Sequence, residues 1–248
     1  MATRIPDKPA GSYGVDAIAV PVLLSLPALA LLAMTVANIV QSAPAWVSLL
    51  SGAGALVLAG SALTYWNTTL GGKFRAWAAI LDSLSLRGDE RSLDLGCGRG
   101  AVLIATALRL PGGHATGIDL WRNQDQTGNS PEATRKNAEL NGVADRITLD
   151  TGDMTRLPYE DASFDLVTAS VSIHNIPSTD GRMRAVSEAL RVLRPGGRLV
   201  IADISRTGEY VAILRDAGAD VTTAPAGLQM RWGVLRTTIV RARKSPRS

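Results

Sequence analysis

The 248-residue sequence predicts an α/β fold, a doubly wound parallel sheet preceded by a two-helix transmembrane hairpin. Three observations carry that expectation. From residue 91 short apolar runs alternate with amphipathic ones, as strands and helices taken in turn do. The first of these runs ends in a glycine-rich turn, LDLGCGRG. Upstream, no charged residue falls between Asp16 and Lys73.

The hydrophobic fraction of 46% is high for a wholly soluble chain, and the excess is concentrated in that uncharged third. The expected division is a cytoplasmic N-terminal tail (1–16), a transmembrane hairpin (17–66), an amphipathic linker helix (67–90), a catalytic domain (91–243) and a short tail (244–248). Cys97 stands alone, which excludes an internal disulfide and fits a reducing compartment. His114 and His174 are the two histidines, and no cluster has zinc spacing, so no metal is expected. A net charge of +4 spread over scattered arginines, without interleaved aromatics, argues against nucleic acid and for a basic surface beside a membrane.

Residues 17–40 and 45–66 are each long enough to cross a hydrocarbon core, which needs about 20 helical residues. Only QSAP separates them, so they form an antiparallel hairpin with both ends on one side. Trp46, Tyr65 and Trp66 sit where amphipathic rings prefer the interfaces. Ser51, Ala55 and Ala59 recur every four residues and permit close helix packing. Arg4, Lys8, Lys73 and Arg75 flank the hairpin while the turn has no cation, which predicts cytoplasmic termini. With 22 arginines against four lysines, a bacterial plasma membrane is the expected location. In residues 72–84, Phe74, Trp77, Leu81 and Leu84 share one helical face. That helix either packs on the catalytic domain or lies at the lipid interface as a wall of the site.

Strands are expected at RSLDL, HATGID, RITLD, FDLVTAS and GRLVIAD, and helices to about Leu110, from Pro131, near 180–193 and near 208–217. Ligands of such sheets sit beyond the carboxyl ends of the strands. The first turn there is G-x-G-x-G, built from Gly96, Gly98 and Gly100, whereas dinucleotide-binding turns are usually G-x-G-x-x-G. The spacing favours another cofactor.

LDLGCGRG, GIDLW, GDMTRLPYEDASFDLV and LRVLRPGGRLVIAD occur in the order and at the intervals of class I S-adenosylmethionine-dependent methyltransferases. The chain resembles most the ubiquinone/menaquinone-biosynthesis type, over roughly residues 72–243. The resemblance implies a Rossmann-like, seven-stranded methyltransferase sheet with a final antiparallel strand pair, and S-adenosyl-L-methionine as cofactor. By the same resemblance Asp94, Gly96, Cys97, Gly98 and Gly100 hold its methionine end, with Cys97 a small filler rather than a nucleophile. Asp119 takes both ribose hydroxyls, Leu120 and Trp121 lie against adenine, Asp153 accepts from the adenine amino group, Met154 packs on the ring and Ser170 joins the cofactor site.

Methyl transfer from a sulfonium needs orientation, and a base only where the acceptor must lose a proton. His174, just past the fourth expected strand, is either that base or a pocket-shaping residue, and Asp203 faces the same rim. The acceptor pocket is expected from Trp77, Gln126, His174, Asn175, Met230 and Trp232. Its apolar walls predict a lipophilic acceptor such as a quinone, an isoprenoid, a fatty-acyl compound or a hydrophobic thiol. The alternatives are a nicotinamide-dependent oxidoreductase and a non-catalytic scaffold that keeps the cofactor pocket. The stretch DLWRNQDQTGNSPEAT (119–134) is longer than such enzymes usually need. Arg122, Asn123, Gln124, Asp125 and Gln126 are read either as a lid with Trp121 or as a solvated surface loop.

Overall fold

The computed structural model describes residues 5–246, so Arg4 lies outside the described residues. Helix α1 (Ala19–Val40) and helix α2 (Ala45–Asn67) are long and apolar enough to cross a membrane. Leu23, Leu29, Ile39, Leu49 and Leu56 point outward and are exposed. Small residues face the partner helix. Ser51, Ala55 and Ala62 are buried, and Thr35 Oγ1 donates to Ser51 Oγ across the pair at 2.8 Å. Small side chains let the two backbones approach, and the hydrogen bond across the pair adds to that close packing.

α2 does not stop at Trp66. It continues through a π-helical turn, Thr68–Gly72, into α3 (Lys73–Ser83). The extra residue in a π turn rotates the face that follows, and α3 buries Phe74, Trp77, Ile80 and Leu81 against the soluble domain. Of the two readings for this helix, burial therefore favours packing on the domain.

The sheet orders as β3 (Ile147–Thr151), β2 (His114–Asp119), β1 (Arg91–Leu95), β4 (Phe164–Ser170), β5 (Leu193–Asp203), β9 (Thr238–Arg243) and β6 (Asp220–Pro225). β9 runs antiparallel to both neighbours and the rest are parallel. Helices α4 (Ala101–Ala107), α5 (Pro131–Leu140), α6 (Thr179–Val192) and α7 (Thr207–Asp216) cover its faces. β1 shows why this sequence makes a central strand. Leu93 and Leu95 have no exposure, and Ser92 and Asp94 are buried too, so the strand is inside on both faces after its exposed first residue, Arg91. β7 (Arg231–Trp232) and β8 (Leu235–Arg236) form a separate two-residue ribbon.

Residues 5–16, expected as a tail, are docked on the domain. Asn137 on α5 and Asn141, its C-cap, exchange hydrogen bonds with the backbone of Ser12 and Ala10, standing in for a partner strand. Tyr13 is buried edge-on to Phe74, with ring centroids 5.0 Å apart.

Candidate active site

One cavity of about 470 Å³ opens at the carboxyl ends of β1, β2 and β4, within the usual size for a small-molecule site. Its floor is the turn after β1. Gly96 and Gly98 take φ of 69° and 52°, and a Cβ on either would stand 2.5 Å from Ser172 Cβ or 2.6 Å from Gln126 Oε1. Any side chain here would close the space. Asp94 sits below, buried and accepting from Thr168 Oγ1 at 2.7 Å. Burial, reinforced by the charge of Asp119, pushes its carboxyl up to about 7 against the relief of the Thr168 bond. Cys97 is also buried, which pushes its thiol up and makes it unreactive filler.

Asp119 ends β2 at the cavity. Its Oδ2 accepts from the Gly98 N–H at 2.8 Å, and its Oδ1 from the Trp121 N–H at 2.6 Å and Asn129 Nδ2 at 3.2 Å. Three of roughly four lone-pair positions are filled by protein donors. A clasp on both ribose hydroxyls therefore requires one donor to leave, which corrects the simple bidentate picture. Asn129 Oδ1 supplies a further acceptor, since it is buried beside Asp119 on the cavity wall with no partner.

The long loop after β2 is fastened rather than free. Gln126 pairs with Asp16 as an isolated antiparallel bridge, through the Ala17 N–H to Asp125 O and the Thr127 N–H to Val15 O, each at 3.2 Å. The Gln126 side chain joins three segments: Oε1 accepts from the Arg99 N–H at 2.8 Å, and Nε2 donates to Asp16 Oδ1 at 3.1 Å. Asp16 Oδ2 in turn accepts from Lys73 Nζ and Thr69 Oγ1, both at 2.6 Å. This clasp ties the glycine turn to the foot of the helical hairpin.

Across the cavity, β4 and the turn after it bring Ser170, His174 and Asn175 to the wall. Trp77 Nε1 donates to Ser170 Oγ at 2.8 Å, which fixes the indole plane. His174 Nδ1 stands 2.6 Å from Asp203 Oδ1, close enough to pair, although its N–H is not aimed along that line. Asp203 has no exposure and also accepts from the backbone N–H groups of Ile204 and His174 and from Tyr210 Oη. Lying against that carboxylate and its neighbour Glu209 raises the buried Tyr210 hydroxyl, burial being the larger cause.

Asp94, Gly96, Cys97, Gly98, Asp119, Leu120, Asp153, Met154 and Ser170 line the cavity, with Trp77, Gln126, His174, Asn175 and Trp232. Four expected residues stand elsewhere. Trp121 adopts φ 57°, and its indole turns along β3 to donate to Thr151 Oγ1 at 2.8 Å. Met230 has no exposure and packs behind Trp77 with Ile80 and Leu81, because the 3₁₀ turn Gly227–Met230 aims it inward. Gly100 is the left-handed N-cap of α4, with φ 84°, and supports the turn from below. Asp203 lies one layer out and reaches the cavity through His174. The sequence reasoning missed Asp16, Ala17, Val20, Tyr65 and Lys73 on the cavity wall. The signal was present: Asp16 and Lys73 are the opposite charges bounding the uncharged stretch, and a hairpin returns its ends to one place.

The strand order, the glycine turn and the acid ending β2 together define a class I methyltransferase architecture. Residues 93–201 match the methyltransferase-domain family, which places this domain among the class I S-adenosylmethionine-dependent methyltransferases, and its curated relatives include enzymes of the ubiquinone- and menaquinone-biosynthesis type. It is 37% identical over 136 residues to the ubiquinone/menaquinone biosynthesis C-methyltransferase UbiE of Roseobacter denitrificans, covering 54% of this chain and 51% of that one. It is 32% identical over 131 residues to the sterol 4-C-methyltransferase strm-1 of Caenorhabditis elegans, covering 53% and 36%. The chain spans about half the length of the curated relatives it matches. Its fold is shared with geranyl diphosphate C-methyltransferase from Streptomyces coelicolor A3(2), solved with Mg2+, geranyl diphosphate and S-adenosyl-L-homocysteine. The TM-score is 0.54 at 18% identity, covering 68% of this chain and 78% of that one.

The cofactor is S-adenosylmethionine, and the residues present fit it. The side-chain-free cradle at Gly96 and Gly98 leaves room for the methionine end, and the unpartnered Asn129 Oδ1 beside Asp119 suits a ribose hydroxyl. Asp153 Oδ1 is taken by the Thr155 N–H at 2.8 Å, which leaves its second oxygen for an amino donor.

Proposed function

We propose that the chain is anchored in the bacterial plasma membrane by α1 and α2, with both termini cytoplasmic. There it transfers a methyl group from S-adenosylmethionine to a small lipophilic acceptor, such as a quinone, an isoprenoid, a fatty-acyl compound or a hydrophobic thiol. One observation carries the reading: a single cavity is lined both by the glycine turn and His174 and by Ala17, Val20 and Tyr65 at the foot of the helical hairpin. The names of relatives acting on a quinone and on a sterol support the same acceptor class.

When bound, the cofactor supplies an activated methyl on a sulfonium. The protein's part is positioning and proton handling. Asp94, Gly96, Gly98, Asp119, Asn129 and Asp153 hold the donor at the sheet end of the cavity. Trp77, fixed by Ser170, forms an apolar wall that excludes water on the acceptor side. His174 takes the acceptor's proton at Nε2. The Asp203 carboxylate, 2.6 Å from Nδ1, can only accept, so it favours the tautomer with the proton on Nδ1, brought into line by a small turn of the ring, and leaves the Nε2 lone pair free. An acceptor with an ionisable O–H or S–H makes use of that base.

The test is incubation of the full chain with methyl-labelled S-adenosylmethionine and a lipid extract of the source cells. Label in organic-soluble products is the expected result. Label confined to aqueous products rejects the lipophilic acceptor, and cofactor binding with no product from any fraction favours a non-catalytic scaffold.

A further inference from the structure

We infer that the β7–β8 turn is a third membrane element, seated in the bilayer beside α1 and α2, so that the cavity mouth it lines opens to lipid and the acceptor arrives laterally. The inference rests on the reading that α1 and α2 span.

The turn is docked on the hairpin at a definite height. Thr64 Oγ1 donates to Gly233 O at 3.4 Å, Thr68 Oγ1 to Arg231 O at 2.7 Å, and Tyr65 meets Trp232 edge-on with centroids 5.2 Å apart. A Cβ at Gly233 would touch Leu24 Cδ1 and the Ser61 carbonyl at 3.5 Å. Ser61 lies six residues before the end of α2, and Leu24 five after the start of α1. At 1.5 Å per residue both positions are roughly 8 Å inside the apolar helices. A 22-residue helix spans about 33 Å, hardly more than the ~30 Å hydrocarbon layer. The tip of the turn is therefore below the lipid surface if the helices cross it.

Its chemistry suits that depth. Val234 is 70% exposed, and Leu235 next to it is exposed as well. Arg231 and Arg236 bracket this apolar tip; Arg231 Nε donates to Gly233 O at 3.1 Å, which partners it at depth, and the stem of exposed Arg236 lets its charge reach toward anionic headgroups. In water such a tip is an unpaired apolar knob, while beside two lipid-facing helices it continues their surface. Trp232 and Leu235 line the cavity from one side, and Ala17 and Val20 from the other. The gap between them is the portal.

The test reads depth without requiring turnover. Val234→Cys, Leu32→Cys and Asp216→Cys are each labelled with a nitrobenzoxadiazole probe in full-length protein, where buried Cys97 stays unlabelled, and reconstituted into phosphatidylcholine vesicles containing phosphatidylglycerol. Doxyl-labelled lipid should quench the probes at 32 and 234, and aqueous iodide the probe at 216. Lipid quenching at 32 with iodide quenching at 234 overturns the turn's insertion and leaves the spans standing. Iodide quenching at both overturns the inference together with the anchoring. Val234→Asp should also raise KM for a vesicle-borne quinone by up to about fivefold, the roughly 1 kcal/mol of a charge near the interface, with cofactor Kd unchanged. An unchanged KM overturns the portal.

Discussion

His174 Nδ1 lies 2.6 Å from a carboxylate oxygen of Asp203 that no solvent reaches. The pair joins the turn after β4 to the end of β5, so the imidazole is held by the two strands whose carboxyl ends form the acceptor wall. His174→Ala should lower kcat by about 10²–10⁴, the usual worth of general base catalysis, with cofactor Kd unchanged by calorimetry. Unchanged turnover removes His174 as base. Asp203 acts through His174, so Asp203→Asn should lower kcat more than it alters KM, and should move the alkaline-side plateau of the kcat profile.

Asp94 gives the apo-protein a pH signature. Its folded carboxyl titrates near 7, above the roughly 3.9 of an unfolded aspartate. Between those values the unfolded chain has lost a proton that the folded chain keeps. Stability from this group therefore falls as pH rises through about 4 to 7 and is level above. Asp94→Asn should flatten that slope in denaturant titrations. A cationic ligand next to Asp94 favours its ionised form, so S-adenosylmethionine affinity should climb by at most about tenfold per pH unit up to 7 and then level. Calorimetry in buffers of different ionisation enthalpy should detect proton release below 7, and none above.

Much of this was legible because the sheet and the hairpin are written in period and length. The short strand RSLDL running into the glycine turn and the acid closing HATGID mark the cavity floor, and an absence of charge over more than fifty residues marks the helices. Side-chain direction was not legible. Trp121 follows the acid as the family pattern leads one to expect, yet a left-handed φ turns its indole onto β3. Met230 sits in an apolar loop that returns to the rim, yet a single 3₁₀ turn buries it behind Trp77. The docking of residues 10–16 was equally hidden, since it rests on two asparagines of α5 and its C-cap pairing with backbone, a pattern with no periodicity.

The loop from 122 to 130 is where the glycine turn and the foot of the helical hairpin meet. Deleting 123–128 removes Gln126 from between Arg99 and Asp16, and should raise cofactor Kd and expose the segment before α1 to proteolysis. Gln126→Ala alone removes two hydrogen bonds of about 0.5–1.5 kcal/mol each. The expected loss in cofactor affinity is roughly fivefold to a hundredfold if both count fully. Wild-type kinetics from either variant would leave the loop without a role.

The Asp16–Lys73 pair supports the whole junction. Lys73 is 5% exposed, and its ammonium is 2.6 Å from the Asp16 carboxylate and 5.4 Å from the Phe74 ring. Removing one partner of such a pair leaves a charge with little water to solvate it, at a cost of about 3–5 kcal/mol. Asp16→Ala should therefore destabilise strongly, more than Asp16→Asn, which keeps an acceptor for Thr69 and Gln126. Replacing both charges, as in Asp16→Asn with Lys73→Met, should recover most of the loss, because an apolar substitute of similar volume avoids desolvating either ion. A double-mutant cycle measured by thermal unfolding in detergent checks this. If Asp16→Ala unfolds like the native chain, the pair is solvated and the clasp is held by the backbone bridge alone.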